Sequence, residues 1–237
     1  MIWLVALFLY VCDAARLLAP RQMLLVEAGR GQLAATALRE NPLTLFGRIL
    51  AFAPLLRPHH GVFVATWGRA WMDREGLEAV IGALERIRAS LLVPRILAGG
   101  GFILLFGLGP LLTLLLGPNA AVAFTALLLY PTVAATIGWL WWRRRRFALT
   151  VSHSVWLSIE ILICPAFLPN LVRKLTAPHP IAADGAQVLA ATAAEDVKAE
   201  ALARLATRIE EALEEASPES GEGEGLRAYL DGIRDAR

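Results

Sequence analysis

The hydrophobic and polar positions of this chain group into blocks of very different length. The longest apolar blocks are Ile96 to Leu116 (ILAGGGFILLFGLGPLLTLLL), 21 residues without a charge, and Ala120 to Trp142. At a helical rise of 1.5 Å per residue the first covers about 32 Å, enough for the hydrocarbon core of a bilayer. Only Gly117-Pro118-Asn119 separates the two blocks. The pattern therefore predicts two transmembrane helices over 96–116 and 120–142, folded as an antiparallel hairpin. Met1 to Cys12 is a shorter apolar run, about 18 Å as a helix, and reaches membrane length only by continuing through Asp13 and Arg16 toward Ala19. No basic residue precedes it, and bulky Tyr10 and Val11 stand before Cys12. Those features predict an uncleaved N-terminal anchor over 1–19, not a signal peptide or a lipoprotein site.

Shorter periodicities fill the rest. Residues 20–94 read as cytoplasmic or interfacial amphipathic helices. Leu43, Phe46, Ile49, Leu50, Ala53 and Leu56 recur at helical spacing between Pro42 and Pro58. That pattern fits a helix lying in the membrane surface or one packed in a small bundle. Asp73 is placed to cap a helix whose stripe of Leu77, Val80, Ile81, Leu84, Ile87 and Leu91 runs into Pro94. Phe147 to Val172 is apolar but interrupted by Ser152, His153, Ser154, Ser158 and Glu160. It reads as a re-entrant, in-plane or fourth transmembrane helix, and charge bias favours the forms that do not cross.

Over 173–216 a helical tail is predicted, with Thr192 and Glu195 as a capping box. Val197, Leu202, Leu205, Ile209, Leu213 and Ala216 form one face, and Glu200 with Arg204 forms a pair one turn apart. Residues 217–237 give an acidic linker, SPESGEGEG, and then Leu226, Tyr229, Leu230 and Ile233 at helical spacing. That short helix has the shape of a tethered docking peptide, against the alternative of a frayed end. No strand-rich region is expected. The fold class predicted is an all-α integral membrane protein, with a transmembrane hairpin, an N-terminal anchor helix, amphipathic or re-entrant helices and a cytoplasmic helical tail.

Composition supports the membrane reading and charge orients it. Apolar residues make up 57% of the chain and the mean hydropathy is +0.54, too high for an ordinary soluble domain. Up to Pro180 there are 17 basic and 8 acidic residues, and beyond it 6 and 13, so a basic apolar body precedes an acidic tail. Arg86, Arg88 and Arg95 precede the first span, and Arg143, Arg144, Arg145 and Arg146 follow the second. The positive-inside rule puts both open ends of the hairpin in the cytoplasm and the Gly-Pro-Asn turn outside. Trp139, Trp141 and Trp142 then form the interfacial aromatic belt. The expected location is the bacterial inner membrane, multi-pass, with most polar mass cytoplasmic. The four consecutive arginines set topology and attract anionic lipid headgroups, each by about 1 kcal/mol. Nucleic acid is not an expected partner, because the basic patch lies against the bilayer and the tail is acidic.

The sharpest chemical pattern is His153, Glu160 and Cys164. Steps of seven and four bring them within about 40° of one helical stripe, and ionisable groups at membrane depth face an interior or a cavity. Pro165 and Pro169 free backbone carbonyls beside them. The three residues extend over about 16 Å on a straight helix, so one ion cannot touch all three, and neither metal nor cofactor is predicted. The polar face is expected to pack on other helices with Glu160 paired to an arginine, or else to line a proton or ion path.

Cys12 and Cys164 lie in apolar runs and are expected reduced. His59-His60 is expected in a surface loop. Gly99-Gly100-Gly101, like Ala134 with Gly138, suits close helix contact and not phosphate binding, while Pro110 and Pro131 are expected to kink their helices. No hydrolase triad, zinc-protease pattern or nucleotide motif occurs, so no catalytic residue is assigned. The function this predicts is a non-enzymatic integral membrane component, a scaffold or assembly subunit. It would engage a protein partner or a second copy through its amphipathic helices, with Leu226, Tyr229, Leu230 and Ile233 as the docking face. The alternative is a small transporter or ion-conducting oligomer using the polar stripe.

Overall fold

A computed structural model describes residues 2–29, 32–36, 43–179, 181–215 and 222–235. Pro42, Ala216 and Ser217 to Gly221 of the acidic linker lie outside the described residues. The chain opens with α1 (Ile2–Ala14) and continues through β1 (Ala15–Leu18), β2 (Gln22–Gly29), β3 (Gln32–Thr36), β4 (Thr44–Leu45), β5 (Arg48–Phe52) and β6 (Val62–Thr66). Helices follow: α2 (Arg74–Ala89), α3 (Leu92–Ile103), α4 (Gly109–Leu116), α5 (Pro118–Arg143) and α6 (Val151–Ile163), then α7 (Leu171–Thr176), α8 (Gly185–Thr192), α9 (Glu195–Glu215) and α10 (Glu222–Asp235). These form two compact units. An apolar unit comprises Met1–Ala14, Pro54–His60 and Ile87–Leu175, and a mixed unit comprises Ala15–Ala53, Gly61–Arg86 and Thr176–Arg237.

In the apolar unit, α3 and α4 join through a π turn at Leu104–Leu108 into one helix of 25 residues, Leu92–Leu116. Pro110 has no N–H to give to Phe106, and just before it Gly109 bonds the carbonyl of Leu104, five residues back. Gly117 reverses the chain with φ +81°, a conformation open to glycine, and Pro118 starts α5 at the position where a missing N–H costs nothing. Leu92–Leu116 and Pro118–Phe147 are both long and apolar enough to cross a membrane. Gly101 and Gly109 explain how other segments approach this helix. A Cβ on Gly101 would strike Leu168, and one on Gly109 would strike the indole of Trp3, whose N–H donates to Thr113 Oγ1 at 2.7 Å. Gly99, Gly100 and Gly138 face open space, so of the expected close-contact glycines only Gly101 has that role within the chain.

The helix after the arginines is short. Thr150 caps α6 by accepting from the His153 N–H, and Cys164 ends it because Pro165 cannot continue the ladder. At 13 residues α6 is about 20 Å long. A 3-10 turn, Pro165–Asn170, leads into α7. Leu140, Phe147, Leu157, Ile161, Leu168 and Leu171 are buried together in the core of this unit.

The mixed unit overturns the all-α expectation. It holds two antiparallel three-stranded sheets, ordered β1-β5-β4 and β3-β2-β6. In the second, Leu24 stands opposite both Thr36 and Val64. Leu43 to Leu56 is not a helix: β4 and β5 form a hairpin in which Leu45 faces Arg48. Its two-residue loop, Phe46 and Gly47, has φ +52° and +70°. Positive φ at both positions is the signature of a turn whose twist matches the strands. Ile49, Ala51 and Ala53 are buried while Phe52 is exposed, a period of two in place of the expected 3.6. Leu18, Leu24, Val26, Ile49, Ala51 and Val62 form the sheet core. The N-terminal helix likewise stops at Ala14, and Ala15 to Leu18 pair with β5 in place of continuing the anchor toward Ala19.

The helices of this unit follow their sequence signals with one exception. Asp73 Oδ1 accepts from the Gly76 N–H at 3.0 Å and caps α2, and Glu200 pairs with Arg204. Thr192 does not form a capping box. Its hydroxyl donates back to the Val188 carbonyl at 2.7 Å as the last residue of α8, and α9 begins with Lys198 N–H on the Ala194 carbonyl. Leu202, Leu205 and Ile209 are fully buried.

Candidate functional site

Two polar clusters are built into these units, one in each. The first surrounds Glu160. Lys174 Nζ lies 2.8 Å from Glu160 Oε2 and 2.7 Å from Asp13 Oδ1, so one ammonium bridges two carboxylates from α6 and α1. Asn170 extends the cluster: its amide donates to Asp13 Oδ2 at 2.9 Å and to the Tyr10 carbonyl at 3.1 Å. Its amide oxygen accepts from Arg173 Nη1. Arg173 also donates to the Pro54 carbonyl at 2.5 Å and lies 5.6 Å from the centre of the Tyr10 ring. Tyr10 donates its hydroxyl to the Leu55 carbonyl at 2.5 Å. Two acids and two bases thus balance in charge. Arg173, Lys174 and Asn170 are buried, where an isolated charge would be costly and a paired one is tolerated.

The sequence spacing of this cluster is wide. Asp13 lies 157 residues from Asn170, and Glu160 lies 14 from Lys174. The second separation, together with Pro165, shows that the chain reverses between α6 and α7, so that the two helices bring their charges together. Glu160 is paired as expected, but to a lysine and not an arginine. Cys164 sits at the end of α6 with its N–H on the Glu160 carbonyl, outside the ion pairs. His153 is exposed in the first turn of α6, at the opposite end from Cys164. The three stripe residues are therefore not brought together. Among the described residues, no three His, Cys, Asp or Glu side chains group so as to hold a metal ion.

The arginine run stacks on its own tryptophans. The Arg143 guanidinium lies 4.2 Å from the Trp142 ring and that of Arg144 lies 5.5 Å from Trp141. The Trp141 indole N–H donates to Ser158 on α6 at 3.2 Å. A 3-10 turn over Arg144–Phe147 then closes on Ala148, which takes φ +47°. Arg145 and Arg146 are exposed.

The second cluster surrounds Asp184 in the mixed unit, which sequence reasoning did not single out. Asp184 is fully buried and caps α8, Oδ1 accepting from the Ala186 N–H at 2.9 Å and the Gln187 N–H at 3.4 Å. The same oxygen accepts the Tyr229 hydroxyl at 2.7 Å, and Oδ2 accepts the Arg69 N–H at 2.9 Å. Burial raises the Asp184 carboxyl above its ordinary range, against the opposing pull of these donors. Burial and the adjacent carboxylate raise the Tyr229 phenol. Leu226, Leu230 and Ile233 are buried and α10 packs on α9. The four residues read as a docking face thus lie against their own chain, with Tyr229 fastened to Asp184. Beside them is a cavity of about 520 Å³ bordered by Arg21, Arg69, Trp71 and Tyr229. The signal available in the sequence was the stretch Asp184-Gly185-Ala186-Gln187, an N-cap followed by a helix start.

No protein-family model, curated protein or solved structure matches this chain.

Proposed function

We propose that the chain is an integral protein of the bacterial inner membrane that acts as a non-enzymatic scaffold or assembly subunit. The apolar unit is its anchor and the mixed unit is its cytoplasmic working part. One observation carries the membrane half of this reading: the most apolar windows of Leu92–Leu116 and Pro118–Phe147 are only 17% and 28% buried. The core helix of a soluble protein hides its apolar surface, whereas here Ile103, Leu114, Leu115 and Leu127 all stand open. Exposure of that kind is stable where the solvent is lipid. In this reading α6 dips into the bilayer from the arginine side and returns, since about 20 Å is too short to cross about 30 Å of hydrocarbon. The exposed arginines meet anionic headgroups.

The assembly half rests on a division of labour. The polar cluster of the apolar unit is closed by ion pairs, which suits a fixed anchor. The transport alternative needs Glu160 open to a moving ion, and its carboxylate is instead held by Lys174. The mixed unit presents helices and a bordered cavity. The test is crosslinking in native membranes through carboxylates, of which the residues beyond Pro180 carry 13, with a carbodiimide and a dihydrazide spacer, followed by sizing. The reading expects a product heavier than the 25.7 kDa chain and resistance of the chain to carbonate extraction. Recovery as a free monomer, or release by carbonate, contradicts it.

A further inference from the structure

The apolar unit contains a second cavity, of about 240 Å³, between α1, α5 and the Cys164–Ala166 turn. Its wall is hydrocarbon: Val5, Leu9, Val122, Leu129 and Ile163 line it. One wall residue is out of place. Thr125 is 3% exposed, and its hydroxyl makes no hydrogen bond. Other threonines of the same two long helices behave differently. Thr113 donates to the Gly109 carbonyl at 3.0 Å, Thr132 to Leu128 at 3.0 Å and Thr136 to Thr132 at 2.7 Å. Each turns its hydroxyl back onto the helix, the usual way for threonine to satisfy itself in apolar surroundings. Thr125 leaves a buried polar group facing the groove, and a buried polar group calls for a partner.

From this we infer that the groove is a lipid site that holds one acyl chain of a membrane phospholipid, with the ester carbonyl accepting from the Thr125 hydroxyl. The inference rests on the membrane reading above. The lining suits it: about 240 Å³ walled by hydrocarbon takes a segment of an acyl chain lying along the groove. The shape suits it as well. Thr125 lies toward the Gly117 end of α5, seven residues from Pro118, and the wall continues to Leu129 and Tyr130 before closing on Cys164 and Pro165. A carbonyl near the outer interface with its chain directed inward follows that course. An ester carbonyl accepts a hydrogen bond and donates none, so a hydroxyl is the matching group.

The test uses the full chain in vesicles of phosphatidylethanolamine and phosphatidylglycerol that contain a trace of phosphatidylglycerol with a photoreactive acyl chain. Adducts are mapped by peptide mass spectrometry. In the unaltered protein they concentrate on 122–130 and 163–166, above the level at the open residues Leu114 and Leu115. Ala126→Phe fills the groove and lowers the groove adducts about tenfold, and Thr125→Val, which removes only the hydrogen bond, lowers them about threefold to tenfold. Adducts at Leu114 and Leu115 stay constant in both variants. Groove adducts no denser than those at Leu114, or unaltered by Ala126→Phe, overturn the site while leaving membrane insertion intact. Absence of adducts at Leu114 and Leu115 as well overturns the membrane reading itself.

Discussion

Asp13 and Glu160 in the apolar unit lie against one ammonium, Lys174 Nζ, at 2.7 and 2.8 Å. In the mixed unit Asp184 meets no cation at that range among the described residues and is ringed by the Tyr229 hydroxyl and three backbone N–H groups. The contrast follows from the surroundings. Where neighbours are hydrocarbon, an opposite charge offsets much of the loss of hydration, and removing one partner strands the other. Where a helix start and a neighbouring loop supply oriented N–H groups, neutral donors hold a carboxyl without a counter-charge. The desolvation then shows as a raised affinity for a proton. The apolar unit is thus locked by pairing, and the mixed unit by a carboxyl whose charge costs stability.

Removing the shared cation should have the largest effect. Lys174→Met leaves two carboxylates facing each other, and the expected loss is about 3–5 kcal/mol, read as a lower unfolding midpoint of the full chain in detergent. The triple variant Lys174→Met, Asp13→Asn, Glu160→Gln removes the uncompensated charge and should recover most of that loss. If it recovers nothing, pairing is not what those residues contribute. Asp184→Ala should come next, at about 2–4 kcal/mol. The α8 cap accounts for about 1 kcal/mol, and the stranded Tyr229 hydroxyl and Arg69 N–H for the remainder. Hydrogen exchange would localise that loss to α8 and α10, with the amides of α3 and α5 unaffected.

A pH series separates the two strategies. Because the folded Asp184 binds its proton more tightly than the unfolded chain does, its contribution is full below pH 3.8, the ordinary value. It falls as pH rises through the raised folded value and is level above it. The stability difference between the unaltered protein and Asp184→Asn should therefore shrink with rising pH in that window. A difference that grows with pH would show that the hydrogen bonds outweigh burial. The smallest effect belongs to Tyr229→Phe, about 1 kcal/mol, with faster exchange confined to α10. An unchanged α10 would mean that Leu226, Leu230 and Ile233 alone hold it.

The sequence made the hairpin legible because charge-free runs of bilayer length suit few structures besides a membrane span, and Gly117-Pro118 marks its reversal. The sheets stayed hidden for a physical reason. β2 and β6, MLLV and VFVA at their centres, are buried on both faces and show no alternation. Leu43 to Leu56 mimicked a helix because a two-residue turn shifted the phase of the β5 positions. That turn uses Phe46 in the left-handed region, where Asn or Asp is the usual signal. Nothing local in the sequence ties Lys174 to Asp13, whose contact is made by folding alone. Glu160 was legible as a group needing a partner, but the identity of that partner was not.

The central claim is that the hairpin crosses a membrane once out and once back, with the mixed unit on the arginine side. Single cysteines placed at Asn119 and at Glu224, in a chain carrying Cys12→Ser and Cys164→Ser, test it with a membrane-impermeant maleimide. Both positions are exposed. Asn119→Cys should be labelled in intact spheroplasts, and Glu224→Cys only in inverted vesicles. Labelling of Glu224→Cys from outside would make α6 a full crossing, put the tail on the far side and contradict the account.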